Sequence, residues 1–507
     1  LIWTYGAPLS NKILRIITGI ACLTFLLLSG FILLTDIQNY KGKLSVYPDG
    51  VSVSGISLAG LSRYEALNRL ESVFSIPVEL RYHGARMQFL PPDLGFQVES
   101  SLTLEKVDAD LNTSGYWAHL WNKTNQVSLD IPVETSINSA SISSLLTNQV
   151  VPRYDQIASA PIPIPGSTNF EPGQPGTTLQ VDQAVSLISN ALSSPNERVV
   201  NLPIKEEIAL PLDVRNLAIL LTQEIQSEEF SGLVEIYIND LSGNQDLHFA
   251  INRYQPVTPD VAFSAASTIK IPIMVSILAR TSEPTPEDIQ NLLERMIVFS
   301  ENPPADKLMQ NYLDMTRGPL MVTEDLQKLE YKNTFLAGYF YIGAPVLQLF
   351  KTPANTRTDI YLDPDVYNQA TAAEIGDLLS QVYNCATTPQ ADTKLAQVFG
   401  ENLSQAECQN ILELLSNNKI SLLIEAGLPP QGSVAHKHGW TSELDGLLHS
   451  MSDVGIVYTP GGDFALVISI YSPDQLVFYN GNWLFARLSQ TIYNAFNIDD
   501  QAYWWIE

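Results

Sequence analysis

Residues 16–34, IITGIACLTFLLLSGFILL, carry no charged side chain. As a helix rising 1.5 Å per residue the run spans about 28 Å, close to the hydrocarbon thickness of a bilayer. A cleaved signal peptide has a shorter apolar region closing on small residues, whereas this run ends in Leu33-Leu34-Thr35-Asp36. The expectation is an uncleaved single-pass anchor in the cell membrane, with residues 1–15 cytoplasmic and the remainder extracytoplasmic. Flanking charge does not set that orientation. Lys12 and Arg15 precede the run and Lys41 and Lys43 follow it, a tie under the positive-inside rule.

The chain has 507 residues, enough for two or three domains, and its 45% apolar content excludes a wholly disordered chain. Its 28 basic and 54 acidic residues give a net charge of −26. That balance excludes a nucleic-acid binder that relies on clustered Lys and Arg. Three cysteines exclude a disulfide-dense scaffold and a Cys-rich zinc module. Cys22 lies in the apolar run. Cys385 and Cys408 are either bridged or two free thiols, and the spacing leaves both open.

Residues 46–204 alternate short strand-like segments with amphipathic helices. Ser62 with Glu65 three residues on reads as a capping box. Asp182 reads as a cap before the stripe Ala184, Leu187, Ile188 and Leu192. Tyr47-Pro48-Asp49-Gly50-Val51, Gly55-Ile56, Gly60-Leu61-Ser62, Glu65-Ala66 and the segment 170–182 resemble the peptidoglycan-binding modules found outside the membrane in many bacteria. The resemblance implies cell-wall association. The residues alone describe a small α+β module that serves equally as a spacer. Residues 205–212 read as a linker. Over 213–507 a helix, a hairpin with a Ser-Gly-Asn turn (GLVEIYINDLSG, DLHFAIN), a helical block, strands at 447–472 and a closing helix at 484–496 describe an antiparallel sheet flanked by helices, α+β in class.

The chemistry concentrates in FSAASTIKIP, residues 263–272. Ser267 and Lys270 are i and i+3, so a helix sets them on one face, about 5–6 Å apart. A serine hydroxyl needs a base in reach, and a lysine serves once burial or a neighbouring cation lowers its pKa. Ser300-Glu301-Asn302 follows a helical pattern, and Lys437-His438-Gly439 precedes the returning strands. In this order S-x-x-K, S-[DE]-N and K-x-G resemble the penicillin-recognising serine enzymes, that is class A β-lactamases and the D,D-peptidase domains of penicillin-binding proteins. The resemblance covers residues 213–503.

Carried over, it implies a β-lactamase/transpeptidase-like fold in which Ser267 is the nucleophile and Lys270 a candidate base. Ser300 relays a proton to the leaving nitrogen, and Asn302 holds the substrate amide. Lys437 supplies positive charge for Ser300 and the substrate carboxylate. The backbone N–H groups of Ser267 and Trp440, beside Gly439, form an oxyanion hole. Three departures bear on this. Glu301 stands for the usual Asp. His438 stands for the usual Thr, and as a neutral ring it cannot copy the hydroxyl contact; it reads equally as an exposed rim residue. Residues 351–368, taken as the counterpart of the omega loop, contain Asp359, Asp363 and Asp365 but no Glu to activate a deacylating water. No metal or cofactor is implied; His436 and His438 share a strand face without further ligands nearby. The expected activity is acyl-enzyme hydrolysis of a β-lactam or D-alanyl peptide. The alternatives are a penicillin-binding D,D-peptidase-like protein, a non-turnover β-lactam or cell-wall sensor, and a plain esterase.

Overall fold

The computed structural model describes residues 11–43, 45–112, 128–243, 246–389, 392–443 and 445–503. Residues 1–10 of the expected cytoplasmic segment and Asn244 of the Ser-Gly-Asn turn lie outside them. Asn11–Lys43 is one helix, and within it Arg15–Asn39 is long and apolar enough to cross a membrane, with a mean hydropathy of 2.4. None of its most apolar window is buried, which removes the core helix of a soluble domain as an explanation of the run.

The chain divides into two compact units, Leu1–Ala158 with Pro175–Ile208, and Ser159–Gln174 with Ala209–Glu507. In the first, Val51–Val53 pairs antiparallel with Ile56–Ser57 and parallel with Leu129–Ile131. Val78–Tyr82 lies between Val199–Asn201 and Ala85–Phe89. The helices Arg63–Phe74, Ser100–Asn112 and Val181–Ser193 close a core that includes Leu70, Phe74, Leu80, Phe96, Leu104 and Ile188. Ser62 and Glu65 form the capping box. The Asp182 cap does not form: the helix starts at Val181 after Gln180, which puts Asp182 inside the first turn, where its charge favours the helix N-terminus. Ala184, Ile188 and Leu192 are buried, while Leu187 is exposed.

Two boundaries differ from the sequence reading. Ile204–Glu207 is a strand paired with Gly176–Leu179, so the start of the expected linker belongs to a sheet. Residues 159–174, read as part of the 46–204 module, belong to the second unit. There the pair Ile162–Pro163 and Phe170–Glu171 is stitched to the chain's last described turn. Phe170 N–H donates to Gln501 Oε1 at 2.6 Å, Asn169 Nδ2 to the Ala502 carbonyl at 3.1 Å, and Asn494 Nδ2 to the Thr168 carbonyl at 2.9 Å.

The second unit is built on a six-stranded sheet in the order Gln255–Val257, Asp246–Asn252, Leu233–Asp240, Phe464–Tyr471, Leu448–Tyr458, Ser433–Ser442, antiparallel throughout. Period-two alternation sends successive side chains to opposite faces. Ile236 and Ile238 join Leu217, Leu220 and Leu221 of Val214–Ser227 and Phe485 and Leu488 of Phe478–Phe496. Tyr237, between them in sequence, joins Ile375, Leu378 and Leu379 of Ala372–Thr387 on the other face. This is an α+β fold, an antiparallel sheet with helices packed on both faces. Its edge strand, Ser433–Ser442, borders the candidate site.

Candidate active site

Ser267 lies in a tight turn, Ala266–Ile269, entered from the strand Phe263–Ser264 and continued by the helix Lys270–Leu278. All of that helix is buried, so Lys270 begins it inside the protein. Lys270 Nζ is 2.9 Å from Ser267 Oγ. It also donates to the Ser300 carbonyl at 2.7 Å and to Asn302 Oδ1 at 2.8 Å, and stands 3.5 Å from Ser300 Oγ. Ala266 and Ser300 have φ of 49° and 58°, the left-handed region that costs a non-glycine residue about 1–2 kcal/mol. Strain of this kind persists only where surrounding structure holds it, here on the residue before Ser267 and on Ser300 itself.

Burial is the largest influence on Lys270 and the charge of Lys437 the next. They push the ammonium down to about 7, against the pull of Asp306 and Glu301. Such a lysine is partly neutral near pH 7 and can accept the Ser267 proton. Glu301 is paired with the Arg295 guanidinium.

Along Ser433–Ser442 the residues alternate as a strand requires. Gly439 faces the turn of Ser267, and a Cβ on it would stand 2.7 Å from the Ala265 carbonyl oxygen and 3.1 Å from Ser267 N. Only glycine lets the edge strand approach Ser267 this closely. Lys437 is fully buried, and burial pushes it down to about 8, with Asp453 pulling upward. Its Nζ donates to the His438 carbonyl at 3.1 Å. Among the described residues no hydrogen bond joins Lys437 to Ser300.

His436, His438 and Trp440 occupy the other strand face. His438 is only 3% exposed, which corrects the reading of an exposed rim residue. Its ring stacks on Trp440 with centroids 4.5 Å apart, and Nδ1 meets Asn418 Nδ2 at 3.1 Å. Burial, then the charges of Lys437, His436 and Lys270, push it down to about 2, so the ring is neutral. With Nδ1 accepting from Asn418, its proton sits on Nε2.

Residues 277–496 match the model of the beta-lactamase enzyme family. The matched segment is 220 of the chain's 507 residues. It contains Ser300, Asn302 and Lys437 and begins downstream of Ser267 and Lys270. No curated protein sequence matches the chain. Among solved structures, PBP-A is 18% identical, covering 57% of this chain and 98% of its own, with a TM-score of 0.40. A beta lactamase from Xanthomonas campestris is 14% identical over 56% and 98%, with a TM-score of 0.41. An ancestral class A beta-lactamase of Gram-negative bacteria is 18% identical over 54% and 98%, with a TM-score of 0.38.

Among the described residues none of the three aspartates between 351 and 368 is hydrogen-bonded to Lys270. Asp359 is held by Arg357, with Oδ2 at 2.6 Å from the guanidinium. Asp363 accepts from the Tyr361 hydroxyl at 3.2 Å. Asp365 accepts from Tyr367 N–H and Asn368 Nδ2, each at 2.9 Å, and burial raises its pKa against those two bonds. The group that packs beside Lys270 comes from earlier in the chain: the Phe340 ring, 5.5 Å from Nζ. Asp306, one turn after Asn302, accepts the Phe340 backbone N–H at 2.8 Å. Phe340 lies before the 351–368 stretch, so the aromatic ring beside Lys270 comes from outside the segment read as the omega-loop counterpart.

Sequence reasoning also missed Asp453, Glu425 and Asn418. Asp453 contacts His436 Nδ1 at 2.9 Å, and Glu425 lies 3.5 Å from its Nε2. Burial pulls His436 down, but these carboxylates outweigh it and lift the ring to about 9. The i,i+4 spacing of Asn302 and Asp306 was the one available signal for Asp306; the sequence holds none for Phe340.

Proposed function

We propose that the chain is a membrane-anchored, extracytoplasmic serine hydrolase that opens an amide of a β-lactam or D-alanyl peptide through an acyl-enzyme on Ser267. The observation that carries this reading is a buried amine 2.9 Å from the Ser267 hydroxyl, lowered to about 7. Lys270 Nζ takes the hydroxyl proton as Oγ bonds the carbonyl carbon. That proton then passes through Ser300 Oγ to the leaving nitrogen as the C–N bond breaks. Asn302 holds the substrate amide, and the N–H groups of Ser267 and Trp440 stabilise the oxyanion. Lys437 draws in the substrate carboxylate against the field of a chain with net charge −26.

The helix Arg15–Asn39 supports the anchor. The Cys385–Cys408 bridge, Cα atoms 5.9 Å apart, supports an oxidising compartment. The N-terminal unit is proposed as the wall-docking or spacer module.

The test is the intact mass of the full chain in detergent, followed in time after adding a penicillin, with Ser267→Ala alongside. A transient adduct with accumulating hydrolysed drug supports a hydrolase. An adduct in neither protein, or an equal adduct in Ser267→Ala, removes the mechanism. A second reading, a penicillin-binding or sensor protein that stays acylated, is favoured by the Phe340 ring beside Lys270. A lasting adduct on the wild type alone would select it.

A further inference from the structure

A second polar cluster lies away from the serine site. Glu235 on Leu233–Asp240 and His248 on Asp246–Asn252 share one sheet face, since the register sets Glu235 opposite Ala250 and Tyr237 opposite His248. Glu235 is fully buried, and its Oε1 is 2.8 Å from His248 Nε2. Asp260 joins them from the loop between Gln255–Val257 and Phe263–Ser264. One imidazole nitrogen and one oxygen from each carboxylate all lie within 4.8 Å of one another.

A buried hydrogen bond explains Glu235 and His248 but not Asp260. Its Oδ1 is buried and has no hydrogen-bond partner, a condition that costs free energy unless a donor or a cation meets it. The Arg357 guanidinium, which feels the charges of Glu235 and Asp260, is already engaged. Arg357 donates to the Pro259 carbonyl at 2.7 Å, to the Thr258 carbonyl at 2.8 Å, and to Asp359. The Glu235 oxygens accept backbone N–H from Asp260 at 2.9 Å and Val261 at 3.0 Å, so the loop carrying Asp260 is fixed in place. A carboxylate oxygen that accepts an N–H still has a lone pair for a metal.

We propose that Glu235, His248 and Asp260 form a site for a divalent cation of the zinc type. One imidazole and two carboxylates suit that ion, with water as a fourth ligand. Binding needs the neutral ring with its proton on Nδ1. It also opens the His248–Glu235 contact to about 3.4 Å, the separation of two ligands on a tetrahedral zinc. The role is structural. The ion ties the Leu233–Asn252 hairpin to the segment that leads into the Phe263–Ser264 strand and the turn of Ser267.

The experiment uses the full chain in detergent, stripped with EDTA and dialysed, then titrated with Zn2+ alone by calorimetry and by thermal unfolding. The expected result is one equivalent bound and a raised unfolding midpoint. Asp260→Asn, which keeps the side-chain shape, should weaken binding by more than about 10-fold, and His248→Ala should weaken it at least as much. His449→Ala removes a histidine paired with Asp445 elsewhere and should leave binding unchanged. The proposal is overturned if the wild type takes up no Zn2+, or if Asp260→Asn and His248→Ala, both folded by circular dichroism, bind it as the wild type does.

Discussion

The Phe340 ring centroid lies 5.5 Å from Lys270 Nζ, and Phe340 is held there by its N–H bond to the buried carboxylate of Asp306. The ring is apolar and offers no acceptor to activate a water. In the proposed mechanism acylation takes its base from Lys270, whereas deacylation needs a water and a base to take its proton. On the proposed mechanism, the site would form an acyl-enzyme more readily than release it. Phe340→Glu places a carboxylate beside Lys270. Loss of the penicillin adduct should accelerate about 100-fold, at the low end of general-base effects, while the new charge raises the Lys270 pKa and slows acylation below neutral pH. Time-resolved intact mass after a penicillin pulse reads both rates. An adduct lifetime unchanged from the wild type would mean that something other than this ring withholds the water.

The two lysines predict the shape of the acylation profile. Lys270 acts when neutral, so the rate rises as pH passes about 7. Lys437 attracts the substrate carboxylate when charged, so the rate falls as pH passes about 8. Because the charge of Lys437 lowers the Lys270 pKa, the two limbs belong to the pair. The expected profile of the second-order acylation constant is a narrow bell centred between those values. A rate flat from about pH 5.5 upward would remove Lys270 as the base, and one still climbing at about pH 9.5 would remove Lys437 from substrate attraction.

The sheet and the Ser267–Lys270 pair were readable because both rest on short-range periodicity: alternation along GLVEIYIND, and the i,i+3 relation on a helix start. The contact of Phe340 with Lys270 has no such signature. It depends on where Asp306 anchors a loop that carries no regular pattern. The strand pair at 162–171 was assigned to the wrong unit for a related reason. Its turn residues suit either unit, and its deciding bond to Gln501 spans 331 positions. For His438 the alternation gave the strand face, but burial under Trp440 and Asn418 follows from side chains the strand pattern does not specify.

Gly439 is a steric prediction. A Cβ there would press on the Ala265 carbonyl and approach Ser267 N at 3.1 Å. Gly439→Ala should push the edge strand away from the nucleophile's turn, costing about 1–3 kcal/mol of stability as overpacking does. Moving the Trp440 N–H relative to Ser267 should also slow acylation about 100-fold, the loss typical of one oxyanion donor. Urea unfolding and penicillin acylation measured on the same preparation separate the two effects. Wild-type acylation in a destabilised variant would place the oxyanion hole elsewhere.

His436 links stability to pH. Its folded pKa of about 9 exceeds the reference value of 6.5, so folding favours the protonated ring. The stabilisation is complete below about pH 6.5 and is lost as pH rises through about 9. Lys270 and Lys437 act with the opposite sign, since their depressed values make folding more favourable as pH rises toward 10.5. Comparing the wild type with His436→Gln cancels their contribution. Asp453 is fully buried, and removing its cationic partner should cost about 3–5 kcal/mol near pH 6. The gap between the two urea midpoints should narrow markedly by about pH 9.5, where the wild-type ring has lost its charge. An equal gap at both pH values would mean that the ring is neutral throughout and that His436 serves Asp453 only as a hydrogen-bond donor.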